Sequence, residues 1–172
     1  MRKMKAFKAY DIRGVYGRDF DGETVYRIGF FLPRLLKTDK VLVGYDCRES
    51  TPDIRSHLFR GITDSGADVF DIGLATTPMV YFATAVHGFG ASLQITASHN
   101  PAEYNGLKVS REGALPVGYD TGLSELEKYV ETGAIQPAVW RGKVKELPGV
   151  KTEYITFLEK FRGDYSNLKF GI

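Results

Sequence analysis

Four side chains that could take part in catalysis lie close together in the middle of the chain. They are the hydroxyl of Ser98, the imidazole of His99, the amide of Asn100 and the ammonium group of Lys108. The preceding residues, 90–96, are mostly apolar and begin with a glycine, which predicts a buried strand that runs directly into a polar loop. Open α/β sheets bind their ligands at the carboxyl ends of strands, so we expect these groups to form a binding site with Ser98 on an exposed bend.

A serine beside a histidine raises the possibility of a serine hydrolase. The chain has no Gly-x-Ser-x-Gly elbow around Ser98. The side chains of neighbours such as Ser98 and His99 also point apart on an extended chain, which makes them a poor pair of nucleophile and base. The sequence therefore disfavours hydrolase chemistry.

The motif Thr96-Ala-Ser-His-Asn-Pro101, followed by Tyr104-Asn-Gly-Leu-Lys108, resembles the phosphoserine loop of the α-D-phosphohexomutases. The subgroup it most resembles is phosphomannomutase/phosphoglucomutase. The chain is similar over essentially its whole length to the first of four domains and the link to the second. The resemblance implies an enzyme that interconverts hexose 1-phosphate and hexose 6-phosphate of mannose or glucose. It also implies a phosphoserine at Ser98 and a bisphosphorylated sugar intermediate.

A phosphoserine at this position would need cationic partners, because it carries about −1.5 to −2 charges at neutral pH. Phosphoryl transfer asks the protein mainly for positioning and charge neutralisation. Lys108 begins the strand that leaves the loop, and Arg13 ends the first predicted strand and reaches the same site if the two strands are neighbours. By resemblance, Arg13 contacts phosphate, Lys108 or His99 assists proton transfer at the sugar hydroxyl, and Tyr10 and Asn100 lie at the substrate.

The resemblance also implies a requirement for Mg²⁺. In the family the ion is held partly by the phosphoserine, here the phosphate on Ser98, and otherwise by an aspartate-rich loop of the second domain. The loops that recognise the sugar and bind its second phosphate belong to the third and fourth domains. We therefore expect this chain to bind Mg²⁺ and substrate poorly and to be inactive alone. Its expected partners are hexose phosphates, hexose 1,6-bisphosphate and domains II–IV. The alternative is a non-catalytic phosphoprotein or interaction module derived from the same domain.

Strand and helix patterns alternate along the first half of the chain. Apolar stretches near 6–10, 41–45, 67–72 and 90–96 predict strands, and helices are predicted to begin near Asp21, Thr51 and Thr77. This alternation predicts an α/β fold, a three-layer α/β/α sandwich with a mixed, mainly parallel sheet. Pro33 lies inside the first helical pattern and is expected to kink or divide it.

The pattern changes after the loop. Residues 107–111 and 114–117 predict a hairpin, and a helix follows from Leu123 to Gly133. The remaining predicted elements are a surface connection over 134–149, an amphipathic helix around 154–161 and a strand over 168–172. We expect residues 1–148 to form the phosphoserine-bearing domain I. Residues 149–172 would then be a connecting helix and the start of domain II.

Several other polar residues are expected to be structural. Asp46 and Arg48 follow the second predicted strand, where an ion pair or a helix cap is the favoured interpretation. Asn100 and Asn105 are natural turn formers, so for both a structural role counts at least as much as a functional one. The acidic run 19–23 faintly resembles a calcium loop, but it lacks the third alternate ligand and is better explained as a helix start.

The composition excludes several kinds of partner. With 23 basic and 21 acidic side chains the net charge is +2, which gives no reason to expect binding to nucleic acid or to an anionic membrane. The stretch 72–102 has no Asp, Glu, Lys or Arg, but proline and glycine interrupt it and favour a buried helix and strand over a membrane span. The single cysteine, Cys47, cannot form an internal disulfide, and the amino terminus lacks the apolar core of a signal peptide. We expect a cytoplasmic protein.

Overall fold

The computed structural model describes residues 4–164, 166–169 and 171. The strands of this described part are β1 (Ile12–Val15), β2 (Lys40–Tyr45), β3 (Asp68–Leu74), β4 (Ala91–Ile95), β5 (Tyr104–Arg111), β6 (Leu115–Pro116) and β7 (Val144–Glu146). The α-helices are α1 (Gly22–Leu35), α2 (Thr51–Asp64), α3 (Thr77–Val86), α4 (Leu123–Thr132) and α5 (Val150–Glu159).

The strands form one sheet in the order β1-β5-β4-β2-β3-β7, with β6 beside β5. Strands β4, β2, β3 and β7 are parallel, and β5 is antiparallel to β4, β1 and β6. Among the described strands only β5 therefore runs against the common direction. The predicted α/β fold with a mixed, mainly parallel sheet is confirmed.

Helices cover both faces of the sheet. Val41 and Val43 of β2 belong to a core that also contains the buried faces of α1, α2 and α4. Leu42, between them in sequence, belongs to a second core with α3 and Val150 of α5. Successive strand residues point to opposite faces, so β2 contributes to both layers of packing.

Helices α1 and α2 approach each other closely at two glycines. A Cβ on Gly61 would lie 2.1 Å from the carbonyl oxygen of Tyr26, and a Cβ on Gly29 would lie 2.5 Å from that of Leu58. The contact is therefore backbone against backbone and leaves no room for a side chain. The expected division of α1 at Pro33 is wrong, because the helix continues to Leu35. Pro33 lies in the last turn, so only two residues of the helix follow it.

The first predicted strand is placed incorrectly. Residues 6–10 form a turn, with the amide of Lys8 donating to Asp11 O at 2.9 Å and the amide of Arg13 to Ala6 O at 2.8 Å. The strand itself is β1, which begins at Ile12. Ala6 and Phe7 are buried, and Phe7 forms an isolated antiparallel bridge with Ile12, so the pairing of this segment is limited to one residue. Arg13 consequently lies inside β1 and not at its end.

The carboxyl-terminal third is only partly as predicted. The hairpin of β5 and β6 and helices α4 and α5 are confirmed, although α5 ends before Phe161. Strand β7 lies in the segment predicted as a surface connection and pairs in parallel with β3. The predicted strand over 168–172 includes Phe170 and Ile172, which lie outside the described residues, and Leu168, Lys169 and Gly171 are not in a strand. Within the described part of the chain, no helix combines the length and apolar character needed to cross a bilayer.

Candidate functional site

Ser98 lies in a tight turn immediately beyond the carboxyl end of β4. Its side chain is exposed, as predicted, whereas residues 91–97 before it are buried. Its φ is +58°, in the left-handed region that residues with a Cβ seldom adopt. The amide of Ser98 donates to Thr96 Oγ1 at 2.9 Å, and the amide of Asn100 closes the turn on Ala97 O at 3.1 Å.

Strand β5 brings Arg13 to this turn. Gly106 of β5 pairs with Arg13 on one side, and its carbonyl oxygen accepts a hydrogen bond from the amide of Thr96 on the other. The close approach requires glycine, because a Cβ on Gly106 would lie 2.2 Å from Ile12 O. The Arg13 guanidinium then donates to Asn100 Oδ1 at 2.8 Å. Arg13 and Asn100, both predicted site residues, are in direct contact.

Asp11 connects Arg13 to Lys108. Its Oδ2 lies 2.9 Å from Arg13 Nη2 and 3.6 Å from Lys108 Nζ. The Asp11 side chain is buried, whereas those of Arg13 and Lys108 are partly open to solvent. Sequence reasoning missed Asp11, although an acidic residue beside a predicted phosphate-binding arginine was a usable signal. The two predicted cations therefore lie on the same side of the molecule, joined by one carboxylate.

Arg48 binds the backbone of the Ser98 turn through its guanidinium group. It donates to four carbonyl oxygens, two from Nη1 (to Pro101 O at 2.7 Å and Tyr104 O at 2.9 Å) and two from Nη2 (to Ser98 O and Asn100 O, both at 2.9 Å). Its Nε lies 3.2 Å from Asp46 Oδ2. The predicted ion pair of Asp46 and Arg48 is confirmed, but its contact with the loop was not foreseen.

Two further polar residues, Thr96 and Asn105, also hold the loop in place. Asp46 Oδ2 also accepts a hydrogen bond from Thr96 Oγ1 at 2.7 Å. Asn105 is fully buried, and its Nδ2 donates to Ser50 Oγ at 2.9 Å while its Oδ1 accepts from the amide of Gly106 at 2.8 Å. Asn105 is therefore structural, since it ties the start of β5 to the start of α2.

Tyr10 and His99 make fewer polar contacts than the other predicted site residues. Both are exposed, Tyr10 to 84% of its surface. Neither forms a hydrogen bond or an ion pair with another residue in the described part of the chain. Their side chains are free to meet a ligand, but the geometry of the chain alone gives them no role.

A cleft of about 750 Å³ opens beside Arg13 and Asn100. Lys5 and Lys8 contribute further positive charge to its wall, and the carboxylate present is that of Asp19. Asp19 is held by Arg18 and by the amide of Val15, and these hydrogen bonds lower the pKa of its carboxyl group. Three of the four charged residues that line the cleft are therefore cations, and this excess of positive charge suits an anionic ligand.

The described residues do not provide a complete magnesium site. No group of three or more His, Cys, Asp or Glu side chains is positioned among them to hold a metal ion. The Asp46 carboxylate under the loop is already engaged by Arg48 and Thr96. A divalent ion would need most of its oxygen ligands from groups other than these residues.

The described residues thus form an α/β domain with an exposed serine just beyond a strand end, in a turn that Arg13 contacts through Asn100. Residues 4–136 match the family model described as phosphoglucomutase/phosphomannomutase, alpha/beta/alpha domain I. The chain belongs to this family.

Individual relatives agree with the family assignment. A phosphomannomutase from Escherichia coli is 40% identical over 160 residues, covering 92% of this chain and 35% of that protein. One from Klebsiella pneumoniae is 40% identical over 157 residues, covering 90% of this chain and 99% of that protein. A solved structure of a phosphoglucomutase/phosphomannomutase family protein from Burkholderia thailandensis superposes with a TM-score of 0.77 at 30% identity, covering 90% of this chain and 35% of that one. The chain thus spans about a third of the Escherichia coli and Burkholderia proteins and nearly all of the Klebsiella one.

Proposed function

We propose that this chain is the phosphoryl-carrying first domain of a phosphomannomutase/phosphoglucomutase, with Ser98 as the carrier. The proposal depends above all on one observation. Ser98 projects from an exposed turn at a strand end, and Arg13, through Asn100, is bonded to the same turn. Lys108 joins this group through Asp11. A dianionic phosphate on Ser98 would find positive charge delivered by two neighbouring strands.

The proposed reaction moves one phosphoryl group between Ser98 and a hexose phosphate. In the first transfer, the bond between phosphorus and Ser98 Oγ breaks and a bond to the sugar hydroxyl oxygen forms. The hydroxyl proton is removed by Lys108 or His99, and Ser98 Oγ gains a proton. The product is a hexose 1,6-bisphosphate, and transfer of its other phosphoryl group back to Ser98 leaves the isomeric monophosphate. Arg13 neutralises the phosphoryl oxygens, and Tyr10 and Asn100 contact the substrate.

The complete reaction needs groups outside this chain. The Ser98 phosphate would supply one oxygen to a Mg²⁺ ion that neutralises charge on the phosphoryl group, and the other ligands would come from a further domain. Residues 1–148 form domain I in this proposal, and 149–172 form the connecting helix and the start of domain II. The parent enzyme would act in the cytoplasm. This chain alone would carry phosphate without repeated turnover.

Incubation with hexose 1,6-bisphosphate and Mg²⁺, followed by intact-mass measurement, tests the proposal. We expect one phosphate on the wild-type chain and none on Ser98→Ala. A parallel assay with hexose 1-phosphate and catalytic bisphosphate should give no sustained isomerisation. Phosphate on both proteins, or on neither, would remove Ser98 as the carrier in this chain. Sustained turnover would show that the other domains are not needed.

A further inference from the structure

We propose that Arg48 is a positioning residue that holds the backbone of the Ser98 turn in the conformation that presents the serine hydroxyl. The inference rests on the carrier function proposed for Ser98. It concerns a residue that need not touch phosphate or sugar. Arg48 lies near the end of β2, 50 residues away from Ser98 in sequence, and its side chain is only 13% exposed.

Every donor of the Arg48 guanidinium is already used. A guanidinium has five N–H groups, and those of Arg48 reach four loop carbonyl oxygens and the Asp46 carboxylate. The four carbonyls belong to residues 98, 100, 101 and 104, so one guanidinium binds the loop backbone along most of its length. Arg48 therefore has no donor left for a phosphate, in contrast to Arg13 and Lys108, whose side chains are more exposed.

The same network fixes both peptide groups that flank Ser98. The carbonyl of Ser98 accepts from Arg48 Nη2, and its amide donates to Thr96 Oγ1. Asp46 Oδ2 holds Arg48 and Thr96 together, because it accepts a hydrogen bond from each. Restraint on both sides of Ser98 determines its φ and ψ. This explains how a residue with a Cβ is kept at a φ of +58°, which would otherwise be disfavoured.

The Ser98 side chain takes no part in this network. Within the described residues, Ser98 Oγ forms no hydrogen bond, and the side chain is exposed. The backbone is held while the hydroxyl stays free, which is the arrangement that a phosphoryl acceptor requires. Loss of Arg48 should therefore change the direction of the Ser98 hydroxyl without changing the intrinsic reactivity of that group.

The substitution Arg48→Lys tests the proposal, with Arg27→Lys as the matched control. Arg27 also donates to three carbonyl oxygens, those of Tyr129, Val130 and Gly133, at the end of α4 and away from the loop. Lysine keeps the charge but offers three donors from a single point, so it cannot reproduce the fork. Amide hydrogen exchange and the rate of Ser98 phosphorylation by hexose 1,6-bisphosphate are measured in each protein.

We expect the amides of residues 97–105 to exchange at least about tenfold faster in Arg48→Lys, with core amides of β2 and β4 unchanged. The rate of Ser98 phosphorylation should fall by about tenfold or more. Arg27→Lys should leave both quantities at the wild-type value. Thr96→Val removes the hydroxyl that accepts from the Ser98 amide. It should raise the exchange rate and lower the phosphorylation rate, as Arg48→Lys does, and it tests the proposal if Arg48→Lys does not fold.

If the amides of residues 97–105 exchange at the wild-type rate in a folded Arg48→Lys protein, the proposal is overturned. A loosened loop with an unchanged phosphorylation rate would overturn it as well, because the conformation would then not matter for transfer. If the wild-type chain accepts no phosphate, the carrier function fails by itself. The exchange of residues 97–105 then still decides whether Arg48 positions Ser98.

Discussion

Asp11 joins the two cations of the candidate site while being almost excluded from solvent itself. Its side chain is 5% exposed, and one oxygen, Oδ2, serves both Arg13 and Lys108. The other oxygen, Oδ1, has no hydrogen-bond partner among the described residues. Burial, followed by the negative charge of Asp11, raises the pKa of the Tyr81 hydroxyl. Asp11 therefore interacts electrostatically with Arg13, Lys108 and Tyr81.

Asp11→Asn should lower both the stability of the fold and the pKa of Tyr81. The variant leaves Arg13 and Lys108 without their shared carboxylate, at a cost of about 1–3 kcal/mol in the free energy of unfolding. It also removes one of the two causes that raise the Tyr81 pKa. Urea denaturation and NMR titration of ring-labelled tyrosine measure the two effects. Asp39→Asn, at an exposed position, is the control, and an Asp11→Asn protein indistinguishable from it would contradict the expectation.

Ser98→Gly and Ser98→Ala should differ in stability, although both remove the hydroxyl. Alanine retains the Cβ that disfavours the left-handed φ, at about 1–2 kcal/mol, whereas glycine adopts this conformation freely. Glycine also loses more backbone entropy on folding, by about 0.5–1 kcal/mol. We expect the glycine variant to be the more stable by about 0.5–1 kcal/mol in urea denaturation. An alanine variant more stable than the glycine variant by about 0.5–1 kcal/mol would indicate that the turn imposes no strain at Ser98.

The close packing of helices α1 and α2 requires that position 61 has no side chain. A methyl group there would meet the Tyr26 carbonyl oxygen, a backbone atom that cannot rotate away. We expect Gly61→Ala to lower the free energy of unfolding by about 1–3 kcal/mol, despite the better helix propensity of alanine. Ser56→Ala, on the exposed side of the same helix, should be neutral or slightly stabilising. Thermal or urea unfolding of the two variants makes the comparison, and a stabilised Gly61→Ala would show that the helices can separate without cost.

The start of α1 should make stability depend on pH. Asp21 caps the helix, and hydrogen bonds from the Thr24 amide and hydroxyl lower the pKa of its carboxyl group. Because the folded-state pKa is below the unfolded one, this stabilisation is complete above about pH 4 and is lost as pH falls through the folded-state value.

The variant Asp21→Ala should therefore cost about 1 kcal/mol at pH 7, with the deficit shrinking toward pH 2. Asp21→Asn keeps a capping oxygen that does not titrate, so it separates the loss of the cap from the loss of the charge. Urea denaturation at several pH values measures all three proteins. A deficit for Asp21→Ala that is constant with pH would contradict the assignment of the effect to this carboxylate.

For the molecule as a whole, sequence periodicity predicted the layers and most helices and strands correctly. Strands β2 and β4 are mostly buried and helix α2 is amphipathic, so their patterns are dictated by burial in the core. Residues 6–10 misled the prediction because only Ala6 and Phe7 are buried, and Phe7 forms a single bridge with Ile12 in place of a strand. The short strand β7, Val-Lys-Glu, is exposed and charged, so no apolar pattern distinguished it from a loop.

The candidate site was predictable only where a side chain itself suggests chemistry. Ser98, Arg13, Asn100 and Lys108 fall within one connected group of contacts. The contributions of Asp11 and Arg48 were missed for a different reason. The position of Asp11 two residues before Arg13 was a usable signal, but its contact with Lys108 depends on the fold. The acceptors of Arg48 are backbone carbonyls that any residue type could supply. Sequence patterns of side chains contain no record of such contacts.

The pairing of β1 with β5 has a consequence for how the protein is made. Residues 12–15 find their strand partner in residues 104–107, which leave the ribosome roughly ten seconds later at ordinary rates of translation. During that interval the amino-terminal strand has no sheet to join, and Arg13 and Asp11 are far from Lys108. The group of Asp11, Arg13 and Lys108 can thus form only after β5 has been made, whereas the pairing of β2 with β3 and β4 needs no residue beyond Ile95.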